Sequence, residues 1–194
     1  VVKIELHKRP HGSGVVISKY EAATGGCKLA VLTAHHVAGI DAFVEPLSDD
    51  AGHAAVIPLM DITVDGYSPS SIALRQGADV ALVIFLIPKP CTAVPYTAAE
   101  MDATPLTLGD QLVHIGFPAG EPVYATGVYI HTANGHKGFN WPNVGSVTSV
   151  AGPGSSGGAI FHKGKLVGIL VGGELSPPFR NYFVHIRYAF TLMP

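Results

Sequence analysis

Gly154-Ser155-Ser156-Gly157-Gly158-Ala159 is the stretch on which the reading of this chain depends. A serine followed by two glycines, with another glycine two positions before it, is more than a simple chain reversal requires. Glycine reaches backbone conformations that a β-carbon forbids. Here that freedom lets the amides of Gly154 and Ser156 point into one concavity, where such a pair can hold the oxyanion of a tetrahedral intermediate. We therefore expect Ser156 to be a nucleophile and Gly154, Ser155 and Ser156 to frame an oxyanion hole. The bland alternative is a Gly/Ser-rich surface loop.

A nucleophilic serine needs a base, and Val31-Leu32-Thr33-Ala34-His35-His36-Val37 offers one. A strand pattern runs into a short turn that carries histidine, whose ordinary pKa suits proton transfer near neutrality. On a strand the adjacent His35 and His36 would face opposite ways, so at most one can serve. An orienting acid is offered by Gly77-Ala78-Asp79-Val80-Ala81-Leu82-Val83. A carboxylate that opens an apolar strand is costly unless its charge is hydrogen-bonded, and holding the second imidazole nitrogen would meet that need. Asp61 and Asp65 are rival acids in a more polar, alternating segment. A His-His metal site has little support, because no cysteine or carboxylate lies at ligand spacing nearby.

Around these motifs the 194-residue chain reads as all-β. Short apolar runs occur at 14–18, 29–33, 55–59, 80–86, 111–115, 124–131, 158–161, 166–171 and 182–190. Turn formers separate them: Thr24-Gly25-Gly26, Ser48-Asp49-Asp50, Pro88-Lys89-Pro90, Ala133-Asn134-Gly135 and Lys163-Gly164. Only 34–39 and 98–102 look briefly helical. Residues 87–104 contain three prolines and few strand formers. We expect a first unit at 1–92 carrying the histidine and the aspartate, a linker at 93–104, and a second unit at 105–194 carrying the serine. The fold expected is two six-stranded antiparallel β-barrels with the site in the cleft between them, a single sandwich being the alternative.

Composition narrows the function. Charged residues are 13% of the chain and the formal charge is −2, with no basic stripe, so nucleic-acid binding through phosphates is not expected. The longest strongly apolar run, 80–87, is too short to span a bilayer as a helix. Cys27 and Cys91 are too few for a disulfide framework and form no metal cluster; they could pair with each other, but two free thiols in a reducing compartment are the reading expected. Neither a cofactor nor a metal is expected. The first residues lack the apolar core of a signal peptide and an initiator Met, which suggests a trimmed chain or a piece cut from a longer precursor.

Taken together, HGSGVVIS, VLTAHHV, ADVALV, HIGFPAG and PGSSGGAIF…KGKLVGILVGG, spanning residues 11–173, resemble the trypsin/chymotrypsin superfamily. The likeness is to its short form, seen in HtrA-like bacterial proteases and in viral polyprotein proteases. The resemblance aligns His36 rather than His35 with the family's base, Asp79 with its acid and Ser156 with its nucleophile. It implies a serine endopeptidase working through an acyl-enzyme on a polypeptide, its own precursor included. An inactive protease fold used as a binding module is the alternative of another class.

Departures from the pattern refine this. Digestive members carry an aspartate where Ser155 stands, so activation by insertion of a freed N-terminal amine is not expected. By the family's pattern the primary pocket is walled by 149–152 and 170–173. We place Val150, Ala151, Leu170, Val171, Gly172, Gly173 and His185 at it. No acidic residue lies in those walls, and Leu170 stands where relatives that cut after Glu or Gln carry a histidine. The pocket is therefore expected to be apolar, unless His185 enters it. With no initiator Met, no signal peptide and no disulfide pairs expected, the chain reads as a unit excised from a viral polyprotein and acting in host cytoplasm, the trimmed catalytic domain of an extracytoplasmic bacterial protease being the alternative.

Overall fold

The computed structural model describes residues 1–38, 62–75, 78–133, 144–174 and 180–192. The expected strand at 55–59, the turn Ser48-Asp49-Asp50, the rival acid Asp61 and residues Asn134 and Gly135 lie outside that range.

The first sheet contains β1 (Val2–Leu6), β2 (Arg9–Glu21), β3 (Cys27–Thr33), β4 (Ile62–Thr63), β5 (Pro69–Arg75) and β6 (Val80–Ile87), in the order β4-β1-β2-β3-β6-β5. The second contains β7 (Gln111–Gly116), β8 (Val123–Ala133), β9 (Val144–Thr148), β10 (Ala159–His162), β11 (Lys165–Gly173) and β12 (Arg180–His185). It closes as a barrel in the order β10-β11-β12-β9-β8-β7. Every pairing between these strands is antiparallel. The chain is thus all-β, and its two six-stranded antiparallel sheets, one a closed barrel and one a half-barrel among the described residues, fit the double-barrel fold expected.

Two apolar clusters organise this fold. Leu112, Tyr129, Val147, Ile160, Val167, Leu170 and Phe183 all belong to the closed barrel and pack together. The larger cluster mixes both sheets: Val31, Leu32 and Phe85 share it with Ile169, Val171 and Val184. Burying this seam removes apolar surface from both halves at once, which holds them together.

The 34–39 expectation is met by a 3₁₀ turn at His35–Ala38. The 98–102 expectation is not. That segment is extended, with Ala99 N–H donating to Val16 O (2.8 Å), Leu166 N–H to Glu100 O (2.7 Å) and Asp102 N–H to Leu166 O (2.9 Å). Five residues cannot repay helix nucleation, and bonds to two sheets prevail over local propensity. The last strand ends at His185 rather than near 190 and passes into a 3₁₀ turn at Ile186–Tyr188.

Cys27 and Cys91 also depart from expectation: they form a disulfide. The strand register explains it. Cys27 opens β3 opposite Ile87, the last residue of β6, and the chain then needs only the turn through Pro88-Lys89-Pro90 to return Cys91 to it. The bond closes a loop with a sequence separation of 64. On loop-closure entropy, its loss should cost about 4 kcal/mol. Urea unfolding of Cys27→Ala/Cys91→Ala against wild type should show that loss, and an unchanged midpoint would contradict it.

Candidate active site

The antiparallel pairing of β3 with β6 sets Thr33 opposite Ala81, so the end of one strand lies beside the start of the other. His36, three residues past Thr33, therefore meets Asp79, two residues before Ala81. His36 N–H donates to Asp79 Oδ1 (3.0 Å), and His36 Nδ1 lies 2.6 Å from Asp79 Oδ2. The carboxylate is 3% exposed, and both of its oxygens are engaged, which offsets the cost of burying it. A carboxylate only accepts, so Nδ1 carries a hydrogen, and in the neutral imidazole the lone pair is then on Nε2. The imidazole is 40% exposed.

His35 and His11 flank His36. Burial holds both below the usual histidine range; His36 adds to this at His11, and at His35 burial outweighs the upward pull of Asp79, with His36 a smaller lowering influence. Both stay neutral at neutral pH and add no charge that would compete for Asp79. Asp65, the rival acid, accepts instead from the Tyr96 hydroxyl.

Ser156 lies in a turn fixed from both sheets. Ser13, wholly buried on β2, is the pivot. Its N–H donates to Ser156 O (2.8 Å), and its hydroxyl donates to Gly154 O (2.8 Å) while accepting from Phe117 N–H (2.8 Å). Thr33 Oγ1 in turn donates to Ser13 O (2.6 Å). Gly157, at φ 83°, packs where a β-carbon would overlap Ser13 O and Thr33 Oγ1. At Gly154, φ 92°, a β-carbon would lie 2.7 Å from Phe117 O. Both positions require glycine.

The turn aims its amides. Pro153 O accepts from Ala119 N–H (2.8 Å) and Ser155 O accepts from Gly158 N–H (2.9 Å). In a trans peptide the N–H points opposite to the C=O, so the Gly154 and Ser156 amides point away from those partners. Neither donates to a described residue. Ser155 differs: its N–H donates to Gly152 O (2.9 Å) and its hydroxyl accepts from Gly152 N–H (3.1 Å). Its amide is spent within the turn and is not available to an oxyanion. Gly12 borders both halves of the site, because a β-carbon there would overlap Val37 and lie 3.2 Å from Ser156 O. No hydrogen bond joins Ser156 Oγ to His36 Nε2 among the described residues.

Beside Ser156 opens a cavity of about 210 Å³. Ala151 and Gly152 line one side, Leu170, Gly172 and Gly173 another, and Asn181 also faces it. Three expected pocket residues do not. Val150 is 78% exposed. Val171 lies on the opposite face of β11 from Leu170 and packs in the seam between the sheets. His185 shares a face of β12 with Asn181 but sits four residues, about 13 Å, further along. It stacks edge-on to Phe183 (5.0 Å) and Tyr129 (6.2 Å). Burial, with Arg187 adding to it, pushes its pKa down to about 4.

A family model described as the trypsin-like peptidase domain matches residues 12–169. The chain belongs to that family. No curated protein sequence matches this peptidase domain significantly. Among solved structures, the MamO protease domain from Magnetospirillum magneticum is similar at TM-score 0.66 and 16% identity, over 100% of this chain and 95% of that one. The HtrA-type protease AlgW, solved with a decapeptide, gives TM-score 0.63 at 18% identity over 94% of this chain and 50% of its own. Cellulomonas bogoriensis chymotrypsin gives 0.60 at 15% identity over 98% and 92%. At such identities the likeness is one of fold.

Two residues that shape this site, Ser13 and Asn181, carry no signal of that role in the sequence. Ser13 sits in HGSG, which was matched as a piece of the family pattern, but no spacing rule links it to residues 154 and 156. Asn181 lies outside every motif, and only its place opposite Gly173 in the β11–β12 pairing brings it to the cavity. No helix of the described residues is long and apolar enough to cross a membrane.

Proposed function

We propose that this domain is a serine endopeptidase whose nucleophile is Ser156, whose base is His36 and whose orienting acid is Asp79. The Asp79-held imidazole, with Nε2 left free, is the observation that carries the reading. Ser156 Oγ attacks the peptide carbonyl as His36 Nε2 takes its proton. The Gly154 and Ser156 amides receive the oxyanion. His36 then gives the proton to the leaving amine, an acyl-enzyme forms, and water attacks it with His36 again as base. On this reading the units at 1–92 and 105–194 supply opposite sides of the cleft.

The pocket walls support an uncharged, mainly apolar residue before the cut, since Ala151, Leu170 and the two glycines bring no charge to it. For the setting, the Cys27–Cys91 disulfide favours an oxidising, extracytoplasmic environment over the host cytoplasm of a viral polyprotein protease.

The missing hydrogen bond between Ser156 and His36 favours a second reading, a protease fold that serves only as a binding module. Such bonds often tighten only when substrate is bound. A fluorophosphonate probe separates the two. Wild type should be labelled and Ser156→Ala should not, whereas an unlabelled wild type would leave the binding module.

A further inference from the structure

We propose that Asn181 gives the primary pocket a neutral hydrogen-bond acceptor, so that the domain prefers, before the cut, uncharged side chains that end in a donor. The class comprises hydroxyl and primary amide side chains. This rests on the protease reading above and specifies which substrates that pocket takes.

Asn181 is 4% exposed, and its amide is oriented by its neighbour. Its side-chain nitrogen donates to Ser149 O, with Ser149 Oγ a further 3.4 Å contact. A backbone carbonyl only accepts, so the atom facing it must be the NH₂ and the other terminal atom must be Oδ1. That oxygen hangs over Gly173, close enough that a β-carbon at residue 173 would overlap it. It accepts no hydrogen bond from a described residue. Among the described residues, the sealed side-chain polar atoms without partners are all histidine nitrogens, so Oδ1 is open, and the cavity is what it opens on.

The remainder of the wall explains why this one atom matters. Ser156 is the proposed nucleophile, the Ser155 hydroxyl already accepts from Gly152 N–H, and Ala151, Pro153, Leu170 and the glycines present no side-chain polar group. A hydrocarbon side chain entering the cavity strips water from Oδ1 and returns nothing. A hydroxyl or an amide NH₂ replaces that water with a hydrogen bond. A carboxylate would face Oδ1 oxygen to oxygen. An ammonium would find one dipole and no counter-charge. Selection by Asn181 is therefore for a neutral donor.

Matched peptides that differ only at the residue before the cut test this. The pairs are Thr against Val, Gln against Met, and Tyr against Phe, each nearly equal in size. One net neutral hydrogen bond is worth about fivefold in rate. In wild type we expect kcat/KM to favour the donor-bearing member about fivefold in the pair that is cut fastest. In Asn181→Leu that ratio should fall to unity or reverse. No donor preference in wild type, or a preference that persists in Asn181→Leu, overturns the proposal. The wild-type comparison needs no variant and decides the question even where Asn181→Leu fails to fold. Labelling of wild type by a fluorophosphonate in the same assay tells the two readings apart. A labelled protein without donor preference refutes the role of Asn181 alone, and an unlabelled one refutes the protease reading beneath it.

Discussion

His36→Ala is expected to lower kcat on a cleaved peptide by about 10⁶-fold, whereas His35→Ala leaves most of the rate in place. The two imidazoles are neighbours in sequence, but only one is tied to the acid. His36 gives both its backbone N–H and its Nδ1 side to Asp79, while the Nε2 of His35 is sealed from solvent without a partner. A base removed from such a unit takes the nucleophile's function with it. His36→Ala/Ser156→Ala should therefore be no slower than either single variant. Comparable losses from His35→Ala and His36→Ala, each shown to be folded by its unfolding midpoint, would contradict this assignment.

Asp79→Asn should cost about 10⁴-fold in kcat with KM changed little. The carboxylate accepts two hydrogen bonds from one residue, and an amide can accept only one of them. With its oxygen on the backbone N–H, the amide NH₂ faces Nδ1. The imidazole must then shift its hydrogen to Nε2, the nitrogen that should take the proton from Ser156. With the amide flipped, NH₂ faces the backbone N–H, and two donors oppose each other at a buried site. That clash disfavours the flipped arrangement, so the side chain keeps its shape in the first one and holds the imidazole in the wrong tautomer. A rate within tenfold of wild type would show that Asp79 does not orient the base. The KM is informative too, because a large rise would indicate that the turn around Ser156 had been disturbed.

Much of this was legible in the sequence, and the rest was hidden for identifiable reasons. Strands such as β3, β6 and β11 are continuous apolar runs bounded by glycine, proline or charge, so local composition marks them. Chemistry pairs one of the two adjacent histidines with Asp79, a base that needs an acid and a buried acid that needs donors, and the family resemblance singles out residue 36 from residue 35. What local reading could not supply was register. Cys27 and Cys91 looked unrelated because their proximity depends on Cys27 facing Ile87 across β3 and β6. Val171 is next to Leu170 and Gly172 in sequence, but the alternation of β11 turns it away from the cavity and into the seam. His185 and Asn181 share one face of β12, and only the pairing of Asn181 with Gly173 shows which of them reaches the cavity. Residues 98–102 have helix-forming composition, but their partners lie at Val16 and Leu166, far away in sequence.

Ser13 has a consequence for the life of the protein as well as for its shape. One hydroxyl from the first sheet holds Gly154 and Phe117 of the second, and the adjoining backbone holds Ser156. The turn around the nucleophile is therefore not a possession of either half. A copy in which one half has yet to fold, or has come undone, lacks the frame that aims Gly154 and Ser156. On the serine-protease reading, the capacity to cleave therefore arrives only once both sheets are in place.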